Sequence, residues 1–194
     1  MIRFKLLTEE PLYAYKEACK ITQGIDLDFH CVISSQDETK YWIKQIVANH
    51  STIRCVRFRM TASAPKSVVM QIIRATKGHP QPYVQSSRPD WCGKERSADP
   101  YEEKLFIQDH TAESFIEMAK QRLCVRTEER TRKFMQEAVQ MLINDDSPFL
   151  RAVGFCCKPQ CYWFDGCPEL KGCGKVSPKA EKFIDEYKMW NGIN

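Results

Sequence analysis

Residues 55–74 read CVRFRMTASAPKSVVMQIIR, and two periods meet in them. From Val56 to Ala62 the apolar side chains of Val56, Phe58, Met60 and Ala62 alternate with Arg57, Arg59 and Thr61, as in a strand buried on one face. From Ser63 the period lengthens. Ser63 reads as a helix N-cap and Pro65 as an early helical position. Val68, Val69, Ile72 and Ile73 then recur at helical spacing until Gly78, which reads as C′. A strand running straight into an amphipathic helix predicts an α/β fold, and it sets Gln71 and Arg74, three apart, on one face of the helix's last turn.

The flanking sequence extends the pattern in both directions. Residues 2–7 (IRFKLL) read as a strand, followed by a helix that Pro11 opens and Gly24 stops. ETKYWIKQIVANH (38–50) reads as a helix capped by Ser35 or Asp37. Residues 79–100 hold four of the ten prolines and no helical period, which predicts an ordered, functional loop. Beyond residue 100 the chain reads as helical up to Pro148, with helices near 111–124 and 127–143. A Cys-rich irregular segment follows from 154 to 176, and a last helix starts at Pro178. The expected organisation is an α/β domain over 1–153, with a small mixed sheet and flanking helices, and a Cys-rich segment with a terminal helix over 154–194 packed on it.

Composition narrows the classes further. The 194 residues are 43% apolar and 28% charged, within the range of a globular protein with a real core. A net charge of +4 is too small for a protein that coats nucleic acid, so an anionic partner must be met by local clusters. The N-terminus turns acidic after seven residues, and no stretch approaches the roughly 18 apolar residues that span a bilayer, so the expected location is cytoplasmic, with no membrane partner. Cys19, Cys31, Cys55, Cys92 and Cys124 are scattered and read as reduced thiols, whereas Cys156, Cys157, Cys161, Cys167 and Cys173 are clustered.

Two constellations carry chemistry. Gln71 and Arg74, followed by Ser86-Ser87-Arg88, offer an amide, two guanidinium groups and two hydroxyls, a set suited to a phosphomonoester beside a polar ring edge. The same residues also fit a plainer reading, in which Arg74 answers the helix dipole and Arg88 is a solvated loop residue. Cys157-x3-Cys161-x5-Cys167-x5-Cys173 supplies four thiols. Zinc, reduced thiols packed on Tyr162, Trp163 and Phe164, and disulfides formed on oxidation all remain open for them. Arg57 and Arg59, with Arg54 beside them, suit either a phosphate-rich cofactor or pairing with carboxylates.

Thr61-Ala-Ser-Ala-Pro65 through Gln71-Ile-Ile-Arg74, then Ser86-Ser87-Arg88, then Arg122-Leu-Cys124-Val-Arg126 resembles the ordered signature of the flavin-dependent thymidylate synthases. The chain resembles a compact, phage-type member. It lacks that family's long insertion after Arg88, and Ala75-Thr76 stand where the family has His-Arg. The resemblance implies an enzyme that transfers a one-carbon unit to C5 of dUMP, or a related pyrimidine deoxynucleoside monophosphate, using FAD, NADPH and methylenetetrahydrofolate. It implies that Gln71, Arg74, Ser86, Ser87, Arg88 and Arg122 bind the nucleotide, with Arg74 and Arg122 polarising the reactants. His50, Thr52, His79 and Arg126 would face the flavin, and a homotetramer would share its sites between subunits. Two alternatives stand beside it: a nucleotide-binding homologue that has lost flavin and catalysis, and a zinc-stapled interaction protein.

Overall fold

A computed structural model describes residues 1–24, 35–75, 82–93, 97–169 and 173. The elements in order are β1 (Ile2–Leu6), α1 (Pro11–Gln23), α2 (Ser35–Ala48), a 3-10 helix (Ser51–Cys55), β2 (Arg57–Pro65), α3 (Lys66–Arg74), β3 (Tyr83–Val84), α4 (Pro89–Cys92), β4 (Glu103–Thr111), α5 (Ala112–Arg122), α6 (Glu129–Ile143), α7 (Pro148–Cys156) and α8 (Gln160–Trp163). The strands form one sheet in the order β1-β2-β4-β3.

β2 is the spine of that sheet. Phe58, Met60, Ala62 and Ala64 are buried on one face, and Arg57, Arg59, Thr61 and Ser63 lie on the other. The strand does not give way to helix at Ser63 as expected. It continues to Pro65, because β4 pairs with it along the whole length from Arg57↔Thr111 to Pro65↔Glu103. The first free amides of α3 are then met by backbone rather than by a Ser cap: Lys66 N–H donates to the Glu102 carbonyl and Ser67 N–H to that of Pro100, both at 2.9 Å. Gly78 and the helix expected from Pro178 lie outside the described residues; α3 ends at Arg74.

β4 corrects the reading of 103–111 as helical, and the sheet corrects the expectation of a mixed one: every pairing is antiparallel. Lys104, Phe106, Gln108 and His110 point to the buried face, while Leu105 lies half exposed on the other. The apolar alternation that marks a strand is therefore inverted. On the outer face Arg59 and Asp109, directly opposite, join through Nε and Nη2 at 2.6 and 2.9 Å; that bond holds the Asp109 carboxyl below its ordinary range.

Helices cover the other face. α2 lays Trp42 against Phe149 of α7, ring centres 5.0 Å apart, and Phe58 meets Phe115 of α5 edge-on at 5.7 Å. Thr111 and Ser114 close a reciprocal capping box at the start of α5. The expected helices at 111–124 and 127–143 are present as α5 and α6, and helix also continues into the segment read as irregular, since α7 runs to Cys156. α7 and α6 pack tightly at Gly154, where an added Cβ would stand 2.7 Å from the Ile143 backbone nitrogen and 3.0 Å from Leu142 Cβ. Gly154→Ala is expected to destabilise the fold by roughly 1–3 kcal/mol, the range of overpacked cores, read as a lower urea midpoint at unchanged m-value.

Candidate functional site

The structure brings three separate stretches to one cleft of about 690 Å³: Gln71 on α3, the end of α5 with the turn that follows it, and residues within 159–169 together with Cys173. The middle wall is firmly braced. Thr127 N–H donates to the Cys124 carbonyl at 2.9 Å, its hydroxyl to the Gln121 carbonyl at 2.7 Å, and Arg132 Nη1 to the Val125 carbonyl at 2.7 Å. Glu128 then caps α6 by accepting from the Arg130 and Thr131 amides at 3.0 and 2.8 Å. Arg122 and Arg126 project from a fixed frame.

Arg122 is the residue out of balance. Its Nε is buried with no hydrogen-bond partner among the described residues. Burial, with the charge of Arg74 nearby, pulls its guanidinium below the ordinary arginine range. Arg122, partly desolvated and with an unused donor, lines the cleft; Arg74 is exposed and does not line it, but its charge is felt at Arg122, so the wall is one that an anion would complete. Gln71, one helical turn before Arg74, lines the same cleft and adds a carboxamide with both donor and acceptor. Lys120 closes one side, its Nζ 4.8 Å from the Trp163 ring centre and paired with Glu117.

The other expected site residues lie elsewhere. Ser86, Ser87 and Arg88 do not line the cleft. The Ser86 hydroxyl accepts from the Arg88 amide at 3.1 Å, and the exposed Arg88 side chain pairs with Asp90 and stacks on Trp91. His50 precedes the 3-10 helix, and Thr52 within it accepts from Cys19 Sγ at 3.4 Å. Arg54 forms a two-point pair with Glu113 at 2.6 and 3.1 Å. His79 lies outside the described residues. His50 and Thr52 are not among the residues lining the cleft that Arg126 lines.

The four thiols of Cys157, Cys161, Cys167 and Cys173, for which zinc is one of three open readings, do not all reach the cleft. Cys157 is buried in the core beside Cys156, and among the described residues no three His, Cys, Asp or Glu side chains gather as metal ligands would. Cys124 instead joins Cys161, Cys167 and Cys173 on the cleft wall. A second, smaller cavity of about 240 Å³ lies between the end of α2 and α5, reaching Lys120 and Trp163.

No family model and no curated protein matches the chain. Among solved structures it is similar to the UMP/dUMP methylase PolB from Streptomyces cacaoi, crystallised with 5-Br dUMP. The two share 9% identity and a TM-score of 0.55 over 78% of this chain and 94% of that one. The likeness is one of fold. It corrects the expected membership of the flavin-dependent thymidylate synthases: no model of that family matches, and what the chain shares is the α/β frame of a UMP/dUMP methylase, an antiparallel sheet with flanking helices. Flavin, NADPH and a tetramer find no support in these comparisons. Among the described residues no helix is long and apolar enough to cross a membrane.

Proposed function

We propose that the cleft binds a pyrimidine nucleoside monophosphate and that the chain transfers a one-carbon unit to C5 of its base. The observation that carries this reading is Arg122: a guanidinium with a buried, unused Nε donor on the wall of a cleft large enough for a nucleotide, with the charge of Arg74 nearby. The fold likeness to a UMP/dUMP methylase supports it. The guanidinium groups take the phosphate dianion through paired charge-assisted bonds. The Gln71 carboxamide matches the adjacent N3–H donor and carbonyl acceptor of a uracil edge. Transfer replaces the C5 hydrogen by carbon, so the protein's part is to hold the ring and exclude water while the carbon carrier supplies the electrophile.

The first test is binding at fixed salt. dUMP is expected to bind and to raise the melting temperature, whereas deoxyuridine, which lacks the dianion, binds at least roughly 100-fold more weakly. At 100 Kd of ligand the stabilisation is about 2.7 kcal/mol, or roughly 5–10 °C for a chain of this size. Transfer itself is read as tritium released from dUMP labelled at C5, dependent on an added one-carbon donor. Equal affinity for dUMP and deoxyuridine would remove the phosphate role and the reading with it.

A further inference from the structure

The cleft also carries thiols that the nucleotide reading does not use. Cys124, Cys161, Cys167 and Cys173 line it as free cysteines, each at least partly exposed. This sets them apart from Cys156 and Cys157, which are buried; burial pushes the Cys156 thiol up to about 11 and that of Cys157 higher still, which makes both inert. The four cleft thiols do not converge on one point, so their available chemistry is pairwise. One pair is favoured by the backbone. Gly166 N–H donates to the Cys161 carbonyl at 3.0 Å, folding the chain back on itself between Cys161 and Cys167. A disulfide asks for Cα atoms roughly 4.4–6.8 Å apart, and Cys167 stands one residue beyond the turn that this hydrogen bond closes at Cys161.

We propose that Cys161 and Cys167 form a reversible oxidation site on the cleft wall, closing to a disulfide under a hydroperoxide and narrowing the cleft to its ligand. The consequence for ligand rests on the nucleotide reading above; the disulfide does not. One thiolate attacks the peroxide O–O bond to give a sulfenic acid and, after protonation, one water (or alcohol). The second thiol then attacks that sulfur, the S–S bond forms, and a further water leaves. Two thiols are oxidised and the peroxide is reduced. A dithiol reverses the step.

The test treats the reduced full chain with hydrogen peroxide, followed by differential alkylation and peptide mapping. The expected result is a Cys161–Cys167 link that dithiothreitol removes, with dUMP affinity roughly tenfold lower in the oxidised form. The Cys161→Ser, Cys167→Ser double variant is expected to show the same dUMP affinity before and after peroxide. A link to a different partner, oxidation to sulfinic acid with no link, or four thiols still open to alkylation would each overturn the pairing. An equal loss of affinity in the double variant would overturn the effect on the cleft. If reduced protein does not bind dUMP, the nucleotide reading fails while the peptide map still decides the thiol pairing.

Discussion

Arg122→Ala is expected to weaken dUMP binding by roughly 100-fold, equivalent to about 2.7 kcal/mol, because it removes a charge-assisted contact to a dianion from a partly desolvated wall. The unliganded protein should barely notice. Arg122 contributes repulsion with Arg74 and a buried donor with no partner, so its loss relieves two unfavourable terms and leaves the melting temperature unchanged or slightly higher. Calorimetric titration and thermal melts together separate this from simple damage to the fold, which would lower both. Arg122→Lys keeps the charge but loses the planar fork, and should fall between wild type and alanine. Unchanged dUMP affinity in Arg122→Ala would dismiss the cleft as the phosphate site.

Trp42→Ala is expected to cost about 3–5 kcal/mol, a large part of the roughly 5–15 kcal/mol that holds a typical domain. Trp42 is fully buried, meets Tyr15, Tyr41 and Phe149 edge-on at 5.3, 5.7 and 5.0 Å, and donates from Nε1 to Glu38 at 3.2 Å. It is the plug between α1, α2 and α7. Denaturant unfolding should show the midpoint falling steeply, with Trp42→Phe recovering much of the loss because it restores the ring contacts and gives up only the Glu38 bond. A midpoint within error of wild type would mean that α2 and α7 close without it.

The parts of the fold legible in the sequence were those where burial and hydrophobicity agree. β2 announces itself because Phe58, Met60 and Ala62 face the core and arginines face outward. β4 does not, because its inner face carries Lys104, Gln108 and His110 and its outer face Leu105 and Ile107. Lys104 reaches its buried place by pairing with Glu102 at 2.7 Å, and His110 lies 3.2 Å from the Ser114 hydroxyl, arrangements that only the tertiary fold makes tolerable. Without β4 the strand order was out of reach, and a mixed sheet was the natural guess.

The site shows the same division. Gln71 and Arg122, both candidates in the sequence, line one cleft in the structure, while Arg74 does not line it though its charge is felt at Arg122. In the 86–88 loop the Ser and Arg residues suggest an anion site, but Asp90, two residues on, pairs with the Arg88 guanidinium. In the thiol set, the apolar run from Phe149 carries α7 through Cys156 and leaves Cys157 against the core, while Cys124 reaches the cleft from a distant stretch. The run's helical period was the available signal.

The segment between β3 and β4 is anchored at both ends by main-chain hydrogen bonds. At one end Gln85 N–H donates to the Leu105 carbonyl at 2.8 Å; at the other, the carbonyls of Pro100 and Glu102 hold the first amides of α3. Its two feet are therefore fixed whatever lies between them. Each doubling of a loop's length adds only about 0.6 kcal/mol of closure entropy. A reporter peptide spliced after Gly93, exposed just past α4 and inside both anchors, should therefore leave the melting temperature nearly where it was.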